Sequence, residues 1–244
     1  MRAVGFIPAR AGSKGLADKN ALTDAGLPVV VRAIQALRSA GPDVGKILVS
    51  TDSPAVARLA MEAGAFVVER PKELCGDSAG VESAARHALR AVYGPDGPFP
   101  EATLVVQPNL PVWQPGIVAR CLQRLARGDC TTAATCHAVE ERPEWMKQLS
   151  PEGYAVPFME SKGPVPVWRQ AFPELYFIDG AVLAVRTDAL MASEGRPVSA
   201  HYYLGDKIAL VVRPEIYGVE LHSAADLARA ELTIAWLEKV GYPQ

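Results

Sequence analysis

The chain alternates short apolar runs with segments of helical periodicity, and this alternation constrains the fold more than any other feature. Five apolar runs, typical of buried strands, cover residues 3–7, 46–50, 65–68, 103–106 and 131–136. Four segments between them carry apolar residues at helical spacing, at residues 29–40, 54–64, 81–93 and 117–127. Strands that alternate with helices are joined by right-handed crossovers into a parallel sheet. The pattern therefore predicts an α/β fold with a mostly parallel sheet and helices on both faces.

Polar residues follow four of the predicted strands. They occupy residues 10–14, residues 50–52, Arg70 and residues 107–109. Because ligands of such sheets bind at the carboxyl ends of the strands, we expect these clusters to meet at one crevice, with Ser50 or Asp52 among its lining residues.

The loop after the first strand, at residues 8–15, contains two glycines, a serine and the cations Arg10 and Lys14. Glycines allow the backbone to approach an anion, and the loop N–H groups and both cations favour phosphate. The loop lacks the Walker spacing, since Lys14 precedes Gly15 and no hydroxyl follows the lysine. Gly12 and Gly15 also lack the spacing of the dinucleotide fingerprint. A basic surface turn is the alternative interpretation, which the convergence of four polar clusters disfavours.

Composition restricts the remaining function classes. With 244 residues, 49% of them hydrophobic, the chain is long enough for a single domain over residues 1–244. A net charge of -2 argues against a general nucleic-acid binder. We find no apolar run of membrane-spanning length, no signal-peptide pattern and no zinc-ligand spacing, and we expect a cytoplasmic protein that binds neither nucleic acid nor membrane.

One segment breaks the alternation. Residues 140–175 are rich in proline, tryptophan and charge, and they could form a loop, an extension of the sheet or an arm that swaps between subunits. Strand character returns at residues 176–185 and 208–212, and residues 224–239 predict a closing helix.

Several motifs in this order resemble one known family, the acylneuraminate cytidylyltransferases and their relatives that activate octulosonic, pseudaminic or legionaminic acid. The motifs are Ile-Pro-Ala-Arg-Ala-Gly-Ser-Lys-Gly at 7–15, Lys19-Asn20, Ser50-Thr51-Asp52, Arg70-Pro71, Gln107-Pro108, Gly180-Ala181 and Asp226-Leu227. The resemblance extends over nearly the whole chain. It implies a three-layer Rossmann-like nucleotidyltransferase fold, with a small extension at residues 140–175 used for homodimerisation.

The resemblance also implies a reaction and a set of site residues. A hydroxyl of an acidic sugar would attack the α-phosphate of CTP and release pyrophosphate, a step that needs alignment and positive charge. Arg10 and Lys14 would be the catalytic cations. The implied nucleotide-binding residues are Ala9, Ala11, Gly12, Ser13, Asn20, Arg70 and Asp77, and the implied acceptor-binding residues are Gln107, Asn109 and Asp179.

The family implies Mg²⁺ as a cofactor, and here the chain departs from the pattern. Where relatives carry Asp-x-Asp before the last helix, this chain has Glu220 and His222. Glutamate can hold Mg²⁺ directly or through water, whereas histidine is a poor ligand for a hard cation. The second protein ligand of Mg²⁺ is therefore left open. The other candidates for it are Asp52, Asp77, Asp179 and Asp206.

A second departure concerns the acceptor. After Gln107-Pro108, residues 109–113 read Asn-Leu-Pro-Val-Trp, where sialate enzymes carry two hydroxyls and an arginine. The added Trp113 side chain suggests a smaller or less polar acceptor, or one that stacks against the indole. A 2-keto-3-deoxy nonulosonic acid is the expected acceptor. The alternatives are another acid such as a small phosphonate, or a non-catalytic nucleotide-binding homologue; a nicotinamide dehydrogenase would need the missing glycine fingerprint.

Overall fold

The computed structural model describes residues 1–12, 16, 18–76, 79–160, 163–197, 199 and 201–241. The strands are β1 Ala3–Pro8, β2 Thr23–Asp24, β3 Leu27–Pro28, β4 Val44–Thr51, β5 Phe66–Glu69, β6 Ala102–Val106, β7 Thr132–Val139, β8 Lys147–Leu149, β9 Ala155–Pro157, β10 Leu175–Arg186 and β11 Ile208–Val212. The helices are α1 Val29–Arg38, α2 Pro54–Glu62, α3 Val81–Tyr93, α4 Ile117–Leu125, α5 Thr187–Ala192 and α6 Ala224–Val240.

Seven of the described strands form one sheet in the order β11-β7-β10-β6-β1-β4-β5. The pairs β1–β4, β1–β6, β4–β5 and β7–β11 are parallel, as the alternation predicts. Strand β10 is antiparallel to both of its neighbours, β6 and β7. Its amino-terminal half therefore lies at the carboxyl end of the sheet, next to the residues that follow β6.

Helices cover both faces of the sheet, which gives three layers. In α1, Val30, Ala33, Ile34 and Leu37 are fully buried, with the spacing of one helix face, and they belong to the same apolar cluster as residues of α2 and α4. On the opposite face α3 contributes Ala84, Ala85, Ala88 and Leu89. The central strand β6 is buried along its whole length, because helices cover both of its sides.

Two helix starts place residues near the carboxyl edge. The Ser53 side chain accepts a hydrogen bond from Val56 N and so caps α2, with Pro54 in the first turn. The cap is thus Ser53, which leaves the neighbouring Asp52 carboxylate for other contacts. Helix α6 begins with a capping box between Ser223 and Asp226. It packs on Val29, Val112, Tyr217, Val219 and Leu221.

Residues 140–175, called the arm below, project from the sheet. Strands β8 and β9 form a hairpin, and all six strand residues are exposed. At the base of the arm, Arg142 donates to Pro173 O and Trp145 packs edge-on against Phe172. Farther out, Leu149 is 80% exposed and Trp168 74% exposed. Across the described residues, no helix is both long and apolar enough to span a bilayer.

Candidate active site

A cleft of about 290 Å³ lies at the carboxyl edge of the sheet, where the alternation predicts a ligand site. Its lining residues are Pro8, Arg10, Lys19, Asn20, Arg70, Ala79, Val81, Gln107, Pro108 and Asn109. Five of the ten were predicted as site residues: Arg10, Asn20, Arg70, Gln107 and Asn109. We call the wall formed by Arg10, Asn20 and Arg70 the β4 side. The β10 side consists of the lining residues Gln107 and Asn109 together with Gly180 and Glu220, which support them from outside the lining.

The β4 side is held by short-range contacts to the strand ends. Arg70 is buried, with Nε donating to Ser50 Oγ at 3.1 Å and Nη2 donating to Ser50 O at 3.0 Å. Asn20 is also buried, and its Nδ2 donates to Arg10 O at 3.0 Å. The Arg10 guanidinium donates to Cys75 O at 2.9 Å. These contacts place two guanidinium groups at one end of the cleft.

The loop at residues 8–15, called the phosphate loop below because we predicted it to bind phosphate, contacts Asp52 through Ala11. Ala11 N donates to Asp52 Oδ1 at 2.6 Å, while Ala9 N is bonded to Ser50 O inside the sheet. Burial opposes ionisation of Asp52, but the hydrogen bonds from Ala11 and Cys75 outweigh it and lower the pKa of the carboxyl. Gly12 has a φ of +73° with open space where a Cβ would lie. Asp52 therefore accepts a hydrogen bond from the N–H of Ala11, a residue that we predicted to bind the nucleotide.

Part of the predicted site lies outside the described residues. Ser13 and Lys14 of the phosphate loop belong to this group, as does Asp77. Their predicted roles in nucleotide binding and catalysis stay predictions.

Lys19 also lines the cleft. It belongs to the Lys19-Asn20 motif of the sequence, but we predicted no role for it. It is partly buried, and its Nζ donates to Leu221 O at 3.0 Å. Burial lowers the pKa of Lys19; Glu220 opposes this shift and Arg10 adds to it. The signal available in the sequence was a third cation nine positions after Arg10.

The β10 side brings together residues that are far apart in the chain. Asn109 Nδ2 donates to Glu220 Oε1 at 2.6 Å, and Leu221 N donates to Asn109 O at 2.8 Å. Gly180 has a φ of +70°, and a Cβ there would lie 2.8 Å from Gln107 Nε2. Glycine at this position therefore permits Gln107 to lie across β10.

The predicted acceptor residue Asp179 lies behind this wall. Its side chain is buried, its Oδ1 accepts from Thr135 Oγ1 at 2.5 Å and Ala181 N at 3.0 Å, and its Oδ2 accepts from Arg213 Nε at 2.6 Å. Burial would raise the pKa of Asp179, but Arg213 and these hydrogen bonds lower it overall. The carboxylate is thus ionised and fully engaged within the protein, and its predicted contact with an acceptor stays a prediction.

Glu220 and His222, the predicted metal ligands, are neighbours at the rim. His222 Nε2 is 3.3 Å from Glu220 Oε2, and both side chains are exposed. The described residues contain no cluster of three metal-binding side chains. Glu220 fits Mg²⁺ as a single oxygen ligand, because that ion commonly takes few protein ligands beside phosphate and water. His222 does not suit a hard cation.

Trp113 does not line the cleft. It lines a separate cavity of about 290 Å³ between α1, α6 and the start of α4, where it packs against the apolar core. The expectation that Trp113 shapes the acceptor site is therefore wrong. The chain turns away from the cleft after Asn109, and residues 110–112 are buried.

Comparisons with known proteins agree with this fold. A family model described as cytidylyltransferase matches residues 4–165, more than half of the chain. The N-acylneuraminate cytidylyltransferase of Streptococcus agalactiae serotype V is 32% identical over 184 residues, which cover 75% of this chain and 43% of that protein. The CMP-N,N'-diacetyllegionaminic acid synthase of Legionella pneumophila is 30% identical over 158 residues, 64% of this chain and 66% of that protein.

A solved structure shows the same fold. It is that of a CMP:2-keto-3-deoxy-manno-octonic acid synthetase complexed with CTP, with a TM-score of 0.69 and 20% identity over 97% of this chain and 99% of that one. The predicted three-layer Rossmann-like fold is thereby confirmed. The chain matches less than half the length of the Streptococcus agalactiae relative. With the family model covering the β4 side, β6 and most of the arm, the chain belongs to the cytidylyltransferase family.

Proposed function

We propose that the chain is a CTP-dependent nucleotidyltransferase that transfers CMP to an acidic sugar and releases pyrophosphate. The observation that carries this proposal is the convergence of Arg10, Lys19 and Arg70 on one cleft at the carboxyl edge of a cytidylyltransferase fold. Three cations in a cleft of this size suit a triphosphate. A non-catalytic homologue would gain little from a partly buried lysine, whose desolvation is costly.

The reaction needs alignment and charge rather than a covalent intermediate. The acceptor hydroxyl oxygen bonds to the α-phosphorus, the bond from that phosphorus to the bridging oxygen breaks, and the hydroxyl proton passes to solvent or a base. Negative charge then grows on the phosphate oxygens and on the leaving pyrophosphate. Arg10 and Lys19 provide fixed positive charge near these atoms, and Lys14 is expected to add to it.

The β10 side is the proposed acceptor wall. The Gln107 and Asn109 amides offer donors and acceptors for a carboxylate and hydroxyls. Relatives with 30–32% identity are named for N-acylneuraminate and diacetyllegionaminic acid, and this supports a 2-keto-3-deoxy nonulosonic acid as the acceptor. A smaller acid such as a phosphonate is the second candidate, favoured by the modest size of the cleft.

Mg²⁺ is the proposed cofactor. Glu220 would hold the ion from the rim, next to Lys19 and Asn109, while phosphate oxygens and water complete its ligands. When bound, the ion neutralises charge on the phosphates. Asn109 orients the Glu220 carboxylate through its amide, so the metal ligand and the acceptor wall are fixed to each other.

The proposed assembly is a homodimer formed through the arm. Large apolar side chains along it, among them Leu149, Tyr154, Val167 and Trp168, are more than 70% exposed, which is unusual for a monomer. Light scattering at micromolar concentration should give twice the chain mass. The double substitution Leu149→Ser and Trp168→Ser should give monomers, and Met61→Ser, at an exposed apolar residue of α2, is the control. A monomeric wild type would contradict the proposal.

The experiment that tests the function is pyrophosphate release from CTP and Mg²⁺ with a panel of acceptors. The panel holds sialic, legionaminic, pseudaminic and octulosonic acids and small phosphonates, and ATP and GTP replace CTP in control reactions. Turnover with CTP and a nonulosonic acid is the expected result. Turnover only with a phosphonate would select the second acceptor. CTP binding by calorimetry without turnover on any acid would overturn the enzymatic proposal.

A further inference from the structure

A buried pair of opposite charges lies behind the β10 side of the cleft, outside its lining. Arg213 follows β11 and is 2% exposed, and its Nε donates to Asp179 Oδ2 at 2.6 Å. The other oxygen of Asp179 is bonded to Thr135 Oγ1 and Ala181 N. Such a pair is costly to desolvate and contributes little net stability compared with apolar residues. Net stability therefore does not explain why the Asp179–Arg213 pair lies next to the cleft.

Each member of the pair is attached to a different part of the β10 side. Asp179 directly precedes Gly180, over which Gln107 lies. Arg213 Nη1 donates to Tyr217 O at 2.8 Å, and Tyr217 lies three residues before Glu220. The segment then continues through Leu221, whose N–H and carbonyl bind Asn109 and Lys19.

The geometry points to Arg213 as a positioning residue for nucleotidyl transfer. Through Asp179, Arg213 fixes Gly180 under Gln107. Through Tyr217 O, it fixes the segment that carries Glu220 and Leu221. The carbonyl of Leu221 in turn binds Lys19. The inference deepens the proposed function and rests on it. Misplacement of reacting groups by about 1 Å can lower a rate by about 100-fold.

The contacts of the β4 side do not pass through this pair. Arg70 is held by Ser50, and Asn20 by Arg10 O. Replacement of Arg213 should therefore change turnover and the KM of the acceptor far more than the dissociation constant of CTP. A purely structural role would instead reduce the amount of folded protein and leave the kinetic constants of the folded fraction unchanged.

Arg86 provides a matched control. It is 5% exposed, and it donates to Ser193 Oγ at 2.7 Å and Leu190 O at 3.4 Å, joining α3 to α5 on the sheet face opposite α1. Arg213→Met and Arg86→Met thus remove equally buried guanidinium groups. Arg213→Met removes the guanidinium bonded to Asp179 and leaves only His137 Nδ1, 3.7 Å from Asp179 Oδ2, as an ionic partner. The double variant Asp179→Asn with Arg213→Met removes both charges and keeps the test open if the single variant does not fold.

The experiment measures pyrophosphate release, CTP binding by calorimetry and amide exchange on the full chain. We expect the Arg213 variants to lose about 30-fold in kcat/KM for the acceptor. The dissociation constant of CTP should change less than about tenfold, because Arg10 and Arg70 keep their own contacts and only Lys19 loses its anchor. The Leu221 amide should exchange at least tenfold faster than in the wild type. Arg86→Met should change none of these values by more than threefold.

Two results would overturn the inference. One is wild-type kinetics and Leu221 exchange in the double variant, and the other is an equal kinetic loss in Arg86→Met. If the wild type itself turns over no acid, the proposed function fails, and the exchange of Leu221 alone still decides whether Arg213 holds the segment at residues 217–222.

Discussion

The two sides of the cleft are built in different ways. On the β4 side, partners are closer in the chain: Asn20 and Arg10 are 10 residues apart, Arg70 and Ser50 are 20 apart, and Arg10 and Cys75 are 65 apart. On the β10 side, Asn109 binds Glu220 across 111 residues, and Lys19 reaches Leu221 across 202. The β4 side is assembled by neighbouring parallel strands. The β10 side exists only when distant parts of the chain meet.

The two regions also treat buried carboxyl groups in opposite ways. Asp179, behind the β10 side, accepts three hydrogen bonds and has a lowered pKa. Asp24 lies in β2, shortly after Asn20, and both of its carboxylate oxygens lack a hydrogen-bond partner among the described residues. Burial raises its pKa, and Arg32, whose Nε lies 3.9 Å from Oδ2, offsets this shift only in part. The charge of Asp179 is balanced by its partners, whereas the charge of Asp24 destabilises the fold. Removing the two charges should therefore change the stability of the protein in opposite directions.

The largest effect is expected from Asp179→Asn, which leaves Arg213 buried without a counter-charge and should cost about 3–5 kcal/mol at pH 7. Because the pKa of Asp179 is lowered by folding, its stabilisation is present above the ordinary aspartate pKa and is lost as pH falls through the folded value. Urea unfolding at pH 7 and at about pH 3, below the ordinary aspartate pKa, measures this, and the gap between variant and wild type should narrow at the lower pH.

Asp188→Asn is the control, since its exposed ion pair with Arg186 should contribute about 0–1 kcal/mol. An Asp179→Asn protein as stable as this control would contradict the contrast between the two regions.

Next in size is Lys19→Met. Because the ammonium lies in the cleft and links both sides, its loss should lower turnover about 100-fold, the usual cost of one electrostatic donor at a reacting phosphate. Lys46→Met is the matched control, because that ammonium lies over the Phe66 and Tyr93 rings, outside the cleft. Pyrophosphate release at saturating CTP measures both, and equal rates for the two variants would remove Lys19 from the mechanism.

A smaller effect is expected from Gly180→Ala, which acts on the β10 side alone. The new Cβ would displace the Gln107 amide and should raise the KM of the acceptor about tenfold, a cost of about 1.4 kcal/mol. Gly195→Ala shares the strained backbone, with a φ of +76°, but has open space at its Cβ. If the affinity for CTP changed by a larger factor than the KM of the acceptor, the β4 and β10 sides of the cleft would not act separately.

The smallest effect is expected from Asp24→Asn, which should stabilise the protein by about 1 kcal/mol at pH 8, or about 2–4 °C in Tm. The pKa of Asp24 is raised by folding, so its favourable contribution is present at low pH and is lost as pH rises through the folded value. The gain should therefore disappear near pH 4. Asp43→Asn, at an exposed carboxylate, should leave Tm unchanged at both pH values. A lower Tm for Asp24→Asn at pH 8 would refute this account.

The sequence analysis found the β4 side because its information is local. Apolar runs located β1, β4, β5 and β6 within two residues of their observed ends, and the predicted α3 at residues 81–93 coincides with the helix. Polar residues at these strand ends then converge by the geometry of parallel strands. Arg10 and Arg70 follow from this reasoning, whereas Asn20 was predicted from the family resemblance.

The β10 side was predictable only in part: Gln107 and Asn109 follow a predicted strand, whereas their contacts with Gly180 and Glu220 do not follow from that reasoning. A continuous apolar strand carries no signal for its direction, so the antiparallel placement of β10 does not follow from its residues. Arg213 lay just after an apolar run and gave no sign that it would pair with Asp179. Trp113 was placed wrongly, because the turn that buries residues 110–112 depends on packing against α6.

Strand β10 also has a consequence for synthesis on the ribosome. It covers the open edge of β6, yet about 80 residues separate the end of β6 from the end of β10. At about 5–20 residues per second, that edge stays unpaired for about 4–16 s in a growing chain. The arm emerges during this interval, with its apolar side chains exposed. A nascent chain therefore presents an open strand edge and an apolar hairpin together, which makes this interval the step of biogenesis most exposed to aggregation.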